Sequence, residues 1–307
     1  MPVNAELLDL VVRTFRTTFS TALGQLEDPG IAPYVQTLTE ADIDSDQRVL
    51  WAEVPGDMPV VRDSREYLDL IWLSVLLGMD VRKIGIQIPE KHFRGKRWKA
   101  YQPAVRSLPR NFNLAKRRQF VALLREGDTT KHGTAHDGQP LFDTSHKGAD
   151  AAGNVIANQS NLYGLPFTAD NWRQVRRGMR GIRLHSGELA RGNQRRRYHT
   201  LLGPDNESAA ETVFEARELA GGGSNPLYKA STWEIADELE SDWYVFDFGV
   251  PVEGRPFNQT RTRGPKFIAK TSPQDPDVFD HGIYKFGVDG DWGLGYNRWE
   301  FCAKSQP

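Results

Sequence analysis

At 307 residues, with 39% hydrophobic and 26% charged side chains, the chain has the composition of a folded globular protein of one or two domains and not of a disordered or membrane-embedded one. Its single cysteine, Cys302, excludes an intrachain disulfide framework or thiolate cluster and suits a reducing cytoplasm. The formal net charge of -1 conceals a segregation: residues 91 to 125 carry eleven lysines and arginines and no acid, whereas residues 205 to 254 carry acids throughout against Arg217 and Lys229 alone. Such blocks are solvated faces of one subunit, complementary surfaces between copies, or a seat for a polyanion on the basic side.

Asn4 is placed to cap a helix in which Leu7, Leu8, Val11, Val12, Phe15, Phe19, Ala22 and Leu23 recur at spacings of mostly three and four until Gly24. Asn4 and Glu6 stand where a signal peptide would need a basic region, so secretion is not expected. The next residues, with Pro29, Gly30, Pro33 and the acids Glu40, Asp42, Asp44 and Asp46, have no period; the segment reads as a helix on an extended arm that reaches a neighbour.

Val49 to Val54 reads as a strand, and Ile84, Ile86 and Ile88 alternate as another. Between them, Tyr67 to Met79 includes Leu70, Ile71, Trp72 and Leu73, more apolar groups than one strand face holds. Cover on both sides, by core or by another subunit, is predicted, while helix or strand stays open. With Asp69 and Ser74 inside it, this stretch falls short of the roughly 20 residues that a bilayer span needs.

Pro103 suits the first turn of a long helix marked by Val105, Leu108, Phe112, Phe120 and Leu124 up to Gly127, which Pro109 is expected to bend or split. Residues 128 to 162 read as loop around Leu141 and Phe142. Thr168 then caps a helix whose Trp172, Val175, Met179 and Ile182 stripe lies opposite Arg173, Arg176, Arg177, Arg180 and Arg183. A strand at Tyr198 to Leu202, a helix from Asp205 to Leu219 stopped by Gly221 to Gly223, and strands near Trp233 to Ala236 and Trp243 to Phe248 follow. The C-terminal part reads as strands at Phe267 to Lys270, Ile283 to Val288 and Trp292 to Cys302, the last two joined by a tight turn at Asp289-Gly290.

Signals for chemistry are sparse. His132 and His136, followed by Asp137, have the spacing of some zinc sites, but Gly133 and Thr134 oppose the helix that would align both rings, and a surface loop is the reading. His146, in FDTSHKG, lacks the setting of a nucleophile elbow, and a metal-dependent hydrolase built on these four residues would need bound metal. Gly221 to Gly223 is not followed by the Lys-Ser or Lys-Thr of a phosphate loop. No catalytic residue and no cofactor is expected. The arginines, with Arg195, Arg196 and Arg197, suit either sequence-independent phosphate contact or pairing with the acidic stretch, so a non-specific nucleic-acid-binding protein is the alternative function.

In chain order, FRTTFSTAL, LWAEVPGDMPVVRD, YQPAVRSLPRNFNLAKRRQFVALLREG, DGQPLFDTSHKG, NQSNLYGLPFT, GGGSNPLYK, GRPFNQTRTRGPKFIAK and GVDGDWGLGYNRWEF resemble the major head proteins of Mu-like tailed phages. The resemblance spans nearly the whole chain and implies the α+β HK-ninety-seven-type capsid fold. It places an N-arm at 1-48, the E-loop region at 49-90, the peripheral P domain with its spine helix at 91-126, the axial A domain at 127-249 and returning P-domain strands at 250-307.

It also implies a structural protein and not an enzyme: a major capsid protein, assembled in the host cytoplasm into hexamers and pentamers of an icosahedral shell around double-stranded DNA. Its partners would be its own copies, a portal and decoration proteins, with no membrane. Several capsid proteins of this fold carry a long N-terminal scaffolding segment; because the first helix here begins at residue 4, a separate scaffold protein and no large prosegment are expected. Arg173, Arg176, Arg177, Lys116, Arg117 and Arg118 are the DNA-facing candidates; Phe15, Phe19, Leu70, Ile71, Trp72 and Leu73 are the inter-subunit candidates. One branch of this fold crosslinks Lys to Asn; Lys83, Lys91, Lys96 and Asn297 are available, but no carboxylate pattern points to that reaction and none is expected.

Overall fold

The computed structural model describes residues 5–26, 29–44, 46–54, 70–94, 97–149, 154–191, 196–219 and 221–307. Asn4, Tyr67, Leu68, Asp69, Lys96 and Arg195, to which the sequence assigns roles, lie outside them. In chain order the elements begin with α1 (Ala5–Gly24), β1 (Val35–Leu38), β2 (Arg48–Glu53), β3 (Ile71–Leu76), β4 (Met79–Pro89), α2 (Glu90–Arg94) and α3 (Gln102–Arg125). Next come β5 (His146–Ala149), β6 (Val155–Gln159), β7 (Leu162–Tyr163), α4 (Ala169–Gly181), β8 (Tyr198–Leu202), α5 (Glu207–Ala210), β9 (Ser231–Ile235) and β10 (Trp243–Asp247). The last are β11 (Phe257–Lys270), α6 (Pro276–His281), β12 (Ile283–Tyr296) and β13 (Cys302–Ser305). This is the mixed α+β class expected. No helix among the described residues is long and apolar enough to cross a membrane.

The chain divides into two compact units, the first formed by Met1–Ala32, Met79–Phe120 and Thr260–Gly293, the second by Pro33–Gly78, Val121–Gln259 and Leu294–Pro307. In the first unit the apolar stripe of α1 buries Val11, Phe15 and Phe19. These pack with Trp98, Val105 and Leu108 on the α3 side and with Ile88, Tyr284, Phe286 and Val288 from the sheet. Phe15 meets Phe286 edge-on at 5.0 Å, and Phe19 leans on Phe267 at 5.5 Å. At about 2–3 kcal/mol for each buried phenylalanine, this stripe keeps the helix docked, so the free arm that the sequence suggested is held along its helical part.

β12 pairs antiparallel with β4 in one register, from Ile283↔Pro89 to Gly293↔Met79. Asp289 stands opposite Lys83 and Gly290 opposite Arg82, so the expected Asp289-Gly290 turn is absent: both flanks lie on the same partner strand and leave no second strand for a hairpin to return to. Gly85 faces Gly287 on this ladder, and a Cβ on Gly287 would come within 2.7 Å of the Ile84 carbonyl oxygen. The α3 helix is continuous through Pro109, which does not split it.

In the second unit a five-stranded sheet has the order β7-β13-β10-β8-β9. Its central strand β10, read from the run WYVFD, is buried at every residue, as a strand covered on both faces must be. α4 lays Trp172, Val175 and Met179 into this core, and the Trp172 indole N–H donates to Thr200 at 3.1 Å. Thr168 caps α4 as expected, accepting from the Asn171 amide.

The helix predicted to reach Leu219 is shorter: α5 passes into a π turn that ends at Glu215. The Asn225 side-chain amide takes up carbonyls left free there, donating to Val213 at 3.0 Å and to Ala216 at 2.8 Å. The stretch expected to be loop also contains the β5–β6 hairpin and β7.

Candidate assembly surface

β2 and β3 form a two-stranded ribbon with Arg48↔Leu76, Leu50↔Ser74 and Ala52↔Trp72 in register. Strand periodicity sends Val49, Val75 and the partly buried Trp51 inward, with Leu38 and Leu77, into a small core of the second unit. The other face carries Leu50, Val54, Leu70, Trp72 and Leu76, with Trp72 68% and Leu76 62% exposed. The apolar segment therefore has cover from its own chain on one side only, among the described residues. Leu73 belongs to the buried face, Ile71 is half-buried, and Leu70 and Trp72 point outward.

A buried ionic network holds the root of this ribbon. Arg298 donates to Glu53 at 2.8 Å, lies 3.3 Å from Glu300, and sits 5.4 Å from the Trp51 ring centroid. The Ser186 amide also donates to Glu53, at 3.3 Å. His136 pairs with Glu300 at 3.0 Å, both side chains fully buried. Burial alone would raise the Glu300 carboxyl, but the charges of Arg298 and His136 and the bond from His136 outweigh it, holding the group well below the usual carboxylate range.

His146 donates through Nδ1 to Asp137 at 2.7 Å and stacks on Trp299 with ring centroids 3.8 Å apart. For Asp137 too, burial pushes upward and is overcome, here by the bond from His146 and by the amides of Gln139 and Lys147. The surface-loop reading of His136 and Asp137 is thus corrected. Their side chains are interior: Asp137 pairs with His146 nine residues on, whereas His136 pairs with Glu300 164 residues away, a partner that no local motif announces. His132 departs from them and pairs with Glu126. Among the described residues no three of His, Cys, Asp and Glu are disposed to hold a metal ion.

The inter-subunit candidates Phe15 and Phe19 are spent inside the first unit. Of the DNA-facing candidates, Arg173 pairs with Asp170 at 2.6 Å, Arg176 lies over the Trp172 ring at 4.9 Å, and Lys116 sits between the Phe112 and Trp292 rings, 5.6 Å from each. Arg177 and Arg118 are exposed, and Arg117 is half-buried. Part of the charge segregation closes within the chain: Asp247, fully buried, meets Arg191 at 3.2 Å and Arg196 at 3.7 Å, and Arg125 meets Glu240 at 3.3 Å.

No family model matches the sequence. No curated protein matches it either. The fold does have relatives among solved structures. It resembles the procapsid of bacteriophage JBD30 with a TM-score of 0.52 at 15% identity, over 99% of this chain and 76% of that one. It resembles a structure from Mycobacterium phage Patience with a TM-score of 0.54 at 11% identity, over 99% and 90% of the two chains. A third likeness is the cyanophage Pam1 capsid, with a TM-score of 0.53 at 11% identity over 91% and 93%. The chain therefore has the HK-ninety-seven-type fold of tailed-phage capsid subunits.

Proposed function

We propose that this chain is the major capsid protein of a tailed bacteriophage or prophage of the Mu-like type, a structural virion protein assembling into hexamers and pentamers of an icosahedral shell around double-stranded DNA. On this reading residues 1-48 are the N-arm, 49-90 the E-loop region, 91-126 and 250-307 the P domain and 127-249 the A domain. A separate scaffold protein, a portal and decoration proteins would complete the particle.

The observation that carries the reading is the unspent face of the β2–β3 ribbon, where Leu50, Leu70, Trp72 and Leu76 present a contiguous apolar strip to solvent. A two-stranded ribbon is marginal by itself, and a rigid, ionically anchored root with an apolar outer face suits a contact with a neighbouring copy. Many such contacts of moderate strength close a shell without any one being strong. Arg177 and Arg118, exposed on α4 and α3, are the best placed of the proposed DNA contacts.

Negative-stain microscopy of the protein, expressed alone and with its neighbouring genes, tests this reading. Closed shells, rings of subunits or tubes are expected; a monodisperse monomer under every condition would return non-specific nucleic-acid binding to first place.

A further inference from the structure

The second unit holds a histidine that the shell reading does not use. After α4 the chain makes a tight turn, closed by the Ala190 amide on the Ile182 carbonyl and the Leu184 amide on the Glu188 carbonyl, each at 2.9 Å. Gln159 of β6 clamps its first arm, accepting from the Arg183 amide at 2.7 Å and donating to the Arg183 carbonyl at 3.0 Å. The tip sets His185 and Ser186 against the root of the β2–β3 ribbon. There the Ser186 amide donates to Glu53, and the His185 ring meets His136 edge-on with centroids 5.2 Å apart. Of the turn's own charges, Arg183 donates to the Gly187 carbonyl at 2.7 Å and Glu188 is exposed.

Three histidines gather at this root, and one differs. His136 has the Glu300 carboxylate at 3.0 Å and His146 has that of Asp137 at 2.7 Å. His185 has no such partner among the described residues, and its Nδ1 is buried without a hydrogen bond. The carboxylates that face it are already spent: Glu53 on Arg298 and the Ser186 amide, Glu300 on Arg298 and His136, Asp137 on His146 and two amides. Burial, followed by the charge of His136, holds the His185 imidazole below its ordinary 6.5 despite the pull of Glu53, Glu300 and Asp137.

We propose that His185 is an acid-sensitive latch on the β2–β3 ribbon: on gaining a proton it undoes the contact between the turn and Glu53 and frees the ribbon at its root. A proton on this ring has two outlets. It draws Glu53 away from Arg298 and Ser186, or it takes the ring out to water, and both dissolve the bonds that fix the end of β2. The sign follows from the direction of the shift. A histidine depressed in the folded subunit is neutral in the docked turn, so docking is full above pH about 6.5 and weakens as the pH falls below that value. The loosening belongs to the single subunit, whereas its use to regulate assembly rests on the shell reading.

The test is amide hydrogen exchange of the unassembled full chain between pH about 7.5 and about 5.5, with each rate divided by its intrinsic chemical rate. At the lower pH the amides around the Glu53↔Ile71 end of the ribbon should exchange at least about threefold faster, while those of β10 keep their protection. His185→Gln should abolish the response and His199→Gln should leave it intact. An equal response in His185→Gln overturns the proposal. So does parallel loss at the ribbon and β10 in the wild-type chain, which would mark general acid unfolding and decides the matter even if the variant fails to fold. Light scattering at the two pH values reads the consequence for assembly, whose onset concentration should rise at the lower pH in the wild type and not in His185→Gln. Ribbon loosening in a chain that never assembles would refute the shell reading and leave the latch standing.

Discussion

Trp72 and Leu73 are adjacent on β3 yet face opposite ways, and replacing each should damage a different property. Trp72 is 68% exposed in the subunit. A tryptophan side chain buries roughly 150–250 Å² when covered, so a neighbour that closes over it removes on the order of 100–170 Å² from water. At about 25 cal/mol per Å² this amounts to about 3–4 kcal/mol per contact. Trp72→Ser should leave the subunit's own stability within about 0.5 kcal/mol of wild type, because an exposed position loses little.

Assembly should respond far more strongly. With about 1.4 kcal/mol for each factor of ten, the concentration at which light scattering first reports assembly should rise at least about tenfold. Leu73→Ala should behave in the opposite way. Its side chain is 7% exposed, so the truncation should cost about 2–4 kcal/mol in urea unfolding of the subunit. A Trp72→Ser protein that assembles at the wild-type concentration would refute the assignment of this face to subunit contact.

Burial pushes the His199 imidazole down to about 4 from its ordinary 6.5. A depressed histidine is neutral when folded, so stability is full above pH about 6.5 and falls by up to about 3 kcal/mol as the pH drops towards 4; His199→Gln should flatten that part of a denaturant-midpoint profile against pH. Asp247→Asn leaves the Arg191 guanidinium, only 3% exposed, without its carboxylate and should cost about 3 kcal/mol in thermal or urea unfolding, whereas the exposed Arg13–Asp9 pair should be dispensable to within about 1 kcal/mol. Gly287→Val should open the β4–β12 ladder at its closest approach and lower the melting temperature by several degrees, since even a Cβ there meets the Ile84 carbonyl.

Elements with a strong local period were legible in the sequence. The stripes of α1 and α4, the alternation of Ile84, Ile86 and Ile88, the run WYVFD and the Thr168 cap each fix their own conformation within one or two turns of chain. Asp289-Gly290 misled because a dipeptide reports only what it permits; eleven paired residues on β4 outweigh one permissive turn. The buried pairs His136–Glu300 and Arg298–Glu53 were invisible for a related reason, since partners more than 150 residues apart leave no spacing to read. On β3 the abundance of apolar residues forecast a two-sided segment, and alternation then divided it into one face for the chain's own core and one for solvent. The fate of Phe15 and Phe19 could not be read in advance, because an amphipathic stripe fits its own sheet and a neighbour equally well.

The central claim, that the open face of the β2–β3 ribbon is where one copy meets the next, is tested most directly by cryo-electron microscopy of assembled particles at side-chain resolution. Trp72, Leu50 and Leu76 buried against a neighbouring subunit, with the Arg298–Glu53 pair intact at the ribbon's root, is the result this account predicts. A closed shell in which that face still looks into solvent would contradict it.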